Sequence, residues 1–122
     1  MTHQVLLVED EPNIIEAVGF ILARDGWAVA THANGETALD EIRRVRPDVL
    51  VLDVMLPGRS GYDVLKDLRA DSDLAGLPVL MLTARGQEKD RVLAQKLGAT
   101  RFMTKPFSND DLLEVVREIA HS

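Results

Sequence analysis

The 122 residues fall within the usual size of one domain, and a hydrophobic share of 46% is enough for one substantial core. A net charge of -6, from 20 acidic against 14 basic residues with no basic run, argues against a nucleic-acid-binding surface, and the lack of cysteine excludes disulfides and thiolate metal sites. The first residues lack the basic-then-apolar pattern of a signal peptide and no apolar run approaches a membrane span, so a soluble, cytoplasmic chain is expected.

Val5-Leu6-Leu7-Val8 is a short apolar run suited to a strand buried on both faces, and it ends in Glu9-Asp10-Glu11-Pro12. Proline is favoured at the first helical position and an acidic residue before it suits a helix N-terminus, which predicts a helix from here to Asp25-Gly26. Its expected buried face is Ile14, Ile15, Val18, Ile21 and Leu22. Trp27-Ala28-Val29-Ala30-Thr31 reads as a weaker strand. Asn34-Gly35 opens the next predicted helix, with Ala38, Leu39, Ile42 and Val45 inward and an end before Pro47. Val49-Leu50-Val51-Leu52-Asp53 then forms the strand around which the chain is organised, because it delivers a carboxylate to the edge of an α/β sheet where ligands gather.

After Pro57-Gly58-Arg59-Ser60-Gly61, Tyr62, Leu65 and Leu68 repeat at helical spacing, with Ser60 and Asp63 placed as a capping pair. Pro78 introduces a fourth apolar run, Val79-Leu80-Met81-Leu82, which ends at Thr83. Gln87 to Leu97 reads as a polar helix with a thin apolar stripe of Val92, Leu93 and Leu97, stopped by Gly98 and held less firmly than the others. Arg101-Phe102-Met103-Thr104 is the last strand and runs into Lys105-Pro106-Phe107. Ser108 and Asp111 cap a final helix that buries Leu112, Val115, Val116 and Ile119. Five strands alternating with five helices over residues 1–122 predict one α/β domain, a doubly wound parallel sheet with right-handed crossovers and helices on both faces.

Polar groups end four of these strands on one edge: Glu9-Asp10, Asp53, Thr83 and Lys105. Each alone has a simpler reading, as a helix cap, a turn former or a solvated cation. Their convergence is harder to obtain by chance. Three carboxylates brought together repel one another, so the site needs raised pKa values or a bound metal, and oxygen-only ligands without histidine point to Mg²⁺.

Val8-Glu9-Asp10-Glu11, Leu52-Asp53-Val54-Met55-Leu56-Pro57-Gly58, Leu82-Thr83-Ala84 and Thr104-Lys105-Pro106-Phe107, in this order at these strand ends, make the whole chain resemble the receiver domain of two-component response regulators. The resemblance implies a flavodoxin-like fold of strand order 2-1-3-4-5. It implies Asp53 as phosphoacceptor, with Mg²⁺ held by Asp10, Asp53 and the Met55 backbone carbonyl, and Glu9 as an accessory acid. It further implies that Thr83 hydrogen-bonds the phosphoryl group, that Lys105 pairs with it, that Phe102 is the switch aromatic and that the bond before Pro106 is cis. A lone strand aromatic is more simply core packing, which is the competing reading of Phe102 and the preferred one for Phe107. The expected donor is a histidine kinase or a phosphotransfer protein. Such a domain is a phosphoacceptor that promotes its own phosphorylation and dephosphorylation, and is otherwise not an enzyme.

A flavodoxin would want a Ser/Thr/Gly-rich phosphate loop where Glu9-Asp10-Glu11 stand, a nucleotide-binding domain a glycine-rich loop, and a haloacid-dehalogenase-type phosphatase an Asp two residues after Asp53, where Met55 stands. The output is either a separate protein bound at the face around Phe102 or an effector domain of a longer transcriptional regulator. In receivers of the transcription-factor type, the resemblance implies an acidic pair before the switch aromatic that bridges to a second copy. Thr100 and Arg101 occupy those positions, so a mostly monomeric domain is expected.

Overall fold

The computed structural model describes residues 3–84 and 87–120. Within them strand and helix alternate: β1 (Gln4–Val8), α1 (Pro12–Arg24), β2 (Ala28–His32), α2 (Ala38–Val45), β3 (Val49–Asp53), α3 (Gly61–Ala70), β4 (Val79–Thr83), α4 (Glu88–Leu97), β5 (Arg101–Thr104) and α5 (Asn109–Ala120). The strands pair in parallel in the order β2-β1-β3-β4-β5, the doubly wound five-stranded sheet that the alternation predicts.

Side chains alternate across a strand, so each central strand feeds two cores. Leu6, Val8, Leu50, Leu52 and Met81 point to one face, where Ile42 of α2, Leu65 and Leu68 of α3 and Ala94 of α4 close over them. Val5, Leu7, Val49, Val51, Leu80 and Leu82 point to the other, under Val18 and Leu22 of α1 and Leu112, Val116 and Ile119 of α5. Burial on both faces explains why β1, β3 and β4 are almost unbroken apolar runs, whereas the edge strands β2 and β5 are more polar and half-exposed.

The helix ends follow local chemistry. Pro12 starts α1, the Ser60 hydroxyl accepts the Asp63 N–H at 3.2 Å at the head of α3, and Ser108 does the same for Asp111 at 3.0 Å at the head of α5. Two expectations are corrected. The second helix begins at Ala38 rather than at Asn34-Gly35, because Asn34 Oδ1 accepts the Glu36 N–H at 2.7 Å and Gly35 donates its N–H to Pro57 O, which commits this backbone to a turn. In α4 the inward residue is Ala94, with Leu97 half-buried, while Val92 and Leu93 are 50% and 40% exposed. The small Ala94 packs into the core on this face, and its two larger neighbours are turned outward. In α1, Val18 and Leu22 are buried, and Ile14, Ile15 and Ile21 only half so. The Ser122 terminus lies outside the described residues. No helix among the described residues is long and apolar enough to cross a membrane.

These burials set the cost of truncation. Leu50 is fully buried in β3, so Leu50→Ala is expected to destabilise the protein by about 2–5 kcal/mol in chemical denaturation. Phe20 of α1 is 66% exposed, and Phe20→Ala is expected to change stability by less than about 0.5 kcal/mol.

Candidate functional site: a carboxylate cluster at the sheet edge

Register places the site. Val8 is level with Leu52, so Glu9 and Asp53 leave neighbouring strands at the same height. Asp53 is level with Leu82, which puts Thr83 one step beyond it, and Thr83 is level with Thr104, which puts Lys105 one step further still. The backbone holds this staircase: Glu9 donates its N–H to His32 O at 2.9 Å, Val54 to Leu82 O at 2.9 Å and Lys105 to Thr83 O at 2.7 Å. The Lys105–Pro106 peptide bond is cis.

The side chains converge. Lys105 Nζ donates to Glu9 Oε1 at 2.7 Å and to Asp53 Oδ1 at 3.1 Å. Glu9, Asp53 and Thr83 are buried, while Asp10 is exposed at the mouth. One carboxylate oxygen from each of Glu9, Asp10 and Asp53 lies within 4.8 Å of the others. Glu9 Oε2 is buried without a hydrogen-bond partner. A buried, unsatisfied carboxylate oxygen among hard oxygen donors fits a divalent cation of the Mg²⁺ or Ca²⁺ type.

Electrostatics repeats the point. Burial pushes the Glu9 carboxyl up from its ordinary 4.5 to about 7; the adjoining Asp53 adds to the rise and Lys105 opposes it. Burial alone would lower the Lys105 pKa, but its hydrogen bonds and ion pairs with Glu9 and Asp53 outweigh that and raise it. The ammonium therefore stays charged at neutral pH.

A model of the response regulator receiver domain matches residues 5–117. The chain belongs to that family. The receiver is 42% identical over 115 residues to the sensory transduction protein RegX3 of Mycolicibacterium smegmatis, covering 94% of this chain and 49% of RegX3. It is 39% identical over 119 residues to the phosphate regulon transcriptional regulatory protein PhoB of Escherichia coli, covering 98% of this chain and 52% of PhoB. It thus spans about half the length of the curated relatives it matches. Among solved structures, the receiver domain of the sensor histidine kinase PA1611 of Pseudomonas aeruginosa, with a magnesium ion coordinated in its active site cleft, has a TM-score of 0.91, 28% identity and full coverage of both chains.

Of the sequence-predicted site residues, Glu9, Asp10, Asp53 and Lys105 form one cluster, and Thr83 ends the neighbouring strand. Met55 is exposed in the loop after β3. Phe102 lies apart in β5, half-buried, with the Arg91 guanidinium 6.0 Å from its ring centre. Sequence reasoning missed Gly61. A Cβ there would lie 2.1 Å from Asp53 O, so only glycine lets the start of α3 close against the end of β3, with its N–H donated to Val54 O at 2.8 Å. Its place eight residues after Asp53, just behind Ser60, was the available signal.

A raised Glu9 pKa means that the folded receiver binds more protons than the unfolded chain between about 4.5 and about 7, so Glu9 lowers stability as pH rises through that window. In metal-free buffer, thermal melting from pH 5 to pH 7.5 is expected to show this loss, and Glu9→Gln is expected to flatten it.

Proposed function

We propose that this receiver takes a phosphoryl group onto Asp53 from a phosphohistidine on a kinase or phosphotransfer protein, with Mg²⁺ in the acidic cluster, and passes the signal to the face around Phe102. The observation that carries the reading is the pair of buried carboxylates at neighbouring strand ends held by one ammonium, with Asp10 at the open mouth. In the transfer an Asp53 oxygen forms a bond to phosphorus as the phosphorus–nitrogen bond of the donor breaks, and the electron pair leaves with the imidazole, which takes up a proton from solvent. The result is an acyl phosphate and a free histidine. Positioning and charge offset dominate such a step.

Asp10, Asp53, the Met55 carbonyl and, as an accessory, Glu9 would hold the cation. When bound, Mg²⁺ offsets the charge on the phosphoryl oxygens. Lys105 is already aimed at Asp53 and can follow the phosphoryl oxygens once they arrive. Thr83 sits one register step beyond Asp53, where its hydroxyl can be drawn toward the phosphoryl group. A shift of Thr83 at the end of β4 would open the way for Phe102, on the neighbouring strand, to change its packing.

A histidine kinase as donor and a cytoplasmic setting go with this reading. The greater length of RegX3 and PhoB, the latter a transcriptional regulatory protein, favours an effector segment in the same polypeptide as the output, and the net charge of -6 leaves the receiver itself a poor surface for nucleic acid. Arg101 is engaged within the chain by Glu118 at 2.9 Å, and Thr100 Oγ1 accepts the Val79 N–H at 2.9 Å. These two exposed positions are paired within the chain and carry no acidic side chains to offer a second copy.

Incubation with acetyl phosphate and Mg²⁺ is expected to add one phosphoryl mass to the protein and none to Asp53→Asn. Stoichiometric modification of that variant would refute the assignment. Asp10→Ala is expected to lose both Mg²⁺ binding and phosphorylation. Sedimentation at micromolar concentration, with and without beryllofluoride, is expected to give a monomer in both states, and an activation-dependent dimer through the Phe102 face would overturn that expectation.

A further inference from the structure

The tip of the loop between β3 and α3 rests on the turn between β2 and α2. Gly35 donates its N–H to Pro57 O at 2.9 Å, and Asn34 Oδ1 folds back onto the Glu36 N–H. Gly35 is buried, and a Cβ in place of its hydrogen would lie 1.9 Å from Arg59 O and 2.8 Å from the Arg59 carbonyl carbon. From the opposite side, a Cβ on Gly58 would lie 2.8 Å from Asn34 Oδ1 and 3.0 Å from the Glu36 nitrogen. Two stretches of backbone touch here with nothing between them. The atoms a methyl group would strike at Gly35 are main chain, which cannot swing aside as the end of a long side chain can.

The loop held in this way is the one that leaves Asp53. Its base is fixed by the Val54 N–H on Leu82 O and the Gly61 N–H on Val54 O, whereas Met55 beyond it is 62% exposed. The course of residues 55–59 between those anchors is set where Pro57 to Arg59 meet Asn34 to Glu36. We propose that Gly35 is a positioning residue for the phosphorylation site: by admitting the Pro57–Arg59 backbone to contact distance, it fixes the loop that follows Asp53 and so shapes the cation site. Gly35 acts through Pro57 and Arg59, and touches neither the phosphoryl group nor the cation. The inference rests on the reading of Asp53 as phosphoacceptor.

Four proteins test it: the native chain, Gly35→Ala, Asn34→Ala, and Gly76→Ala as control, since nothing lies within 4 Å of a Cβ at Gly76. Backbone amide shifts and hydrogen exchange are recorded without metal, Mg²⁺ is titrated on the same resonances, and phosphorylation by acetyl phosphate is followed by mass. Gly35→Ala is expected to shift the amides of residues 54–61, to weaken Mg²⁺ binding roughly 10- to 100-fold, as loss of supporting contacts around a metal site commonly does, and to slow phosphorylation. Asn34→Ala adds no bulk, and is expected to speed exchange of the Gly35 amide and weaken Mg²⁺ binding in the same direction. Gly76→Ala is expected to match the native chain. A folded Gly35→Ala with unchanged Mg²⁺ affinity overturns the inference. If Gly35→Ala does not fold, an Asn34→Ala protein with native exchange and native Mg²⁺ affinity overturns it instead. A native chain that takes no phosphoryl group, together with the loop and Mg²⁺ effects in the variants, refutes the phosphoacceptor reading and supports the positioning role.

Discussion

One ammonium group stands between buried carboxylates, and the arrangement of the sheet edge follows from it. Two unit charges about 4 Å apart interact by about 4 kcal/mol at an effective dielectric of 20, so Glu9 and Asp53 could not share this space as bare anions. Lys105 sits at 2.7 Å from one and 3.1 Å from the other. It offsets one negative charge of two, and Asp10 at the mouth adds a third. The site is therefore under-neutralised by construction. That deficit appears in the folded protein as a Glu9 carboxyl that burial and Asp53 push up to about 7, and as an oxygen of Glu9 left without a hydrogen bond. A hard divalent cation would meet both demands at once.

The parallel sheet makes this possible because it ends all its strands at one edge while letting them end at different heights. Glu9 and Asp53 share a level, Thr83 stands one residue beyond and Lys105 beyond that. A residue this far up the edge must reach back to touch Asp53, and a four-carbon stem with a point charge at its tip suits that distance. The stem is largely shielded, at 15% exposure, so the ion pairs are screened far less than a surface pair would be. The two cores below act as the rigid base: alternation along β1 and β3 commits their residues to opposite helical layers, and a slip of one residue would exchange the layers and break the staircase.

Much of this is legible in the sequence because it is local. The apolar runs of β1, β3 and β4 announce strands buried on both faces, the polar residue after each run marks the working edge, and Ser60 and Ser108 stand three residues before the amides they cap. What local pattern leaves out is contact between backbones distant in the chain. Gly35 meets Arg59 and Gly61 meets Asp53 O without any side chain that could leave a periodic trace. Asn34-Gly35 has the chemistry of a helix start and of a turn alike, and the choice between them is made by Pro57, whose carbonyl takes the Gly35 N–H. In α4, Val92, Leu93 and Leu97 are apolar enough to suggest a buried stripe, yet the residue that enters the core is Ala94, and which face of a helix turns inward is decided by tertiary packing.

That placement of α4 bears on how a signal could leave the site. α3 buries Gly61, Val64, Leu65 and Leu68, whereas α4 buries Ala94 alone among its residues. Burial of a large apolar side chain is worth about 1.5–3 kcal/mol, so moving α3 would forfeit several such terms and moving α4 few. The segment after Thr83 leads into this thinly anchored helix, and Arg91 on it lies over Phe102 of the next strand. Of the five helices among the described residues, α4 is the one with the fewest buried residues. Gly98, at the far end of α4, stays tied, because its carbonyl accepts a hydrogen bond from Arg69 Nε at 2.9 Å while Arg69 Nη1 also holds Leu77 O at 2.7 Å. Arg69 of α3 thus ties the C-terminal end of α4, so this helix is held chiefly by that end and by the burial of Ala94.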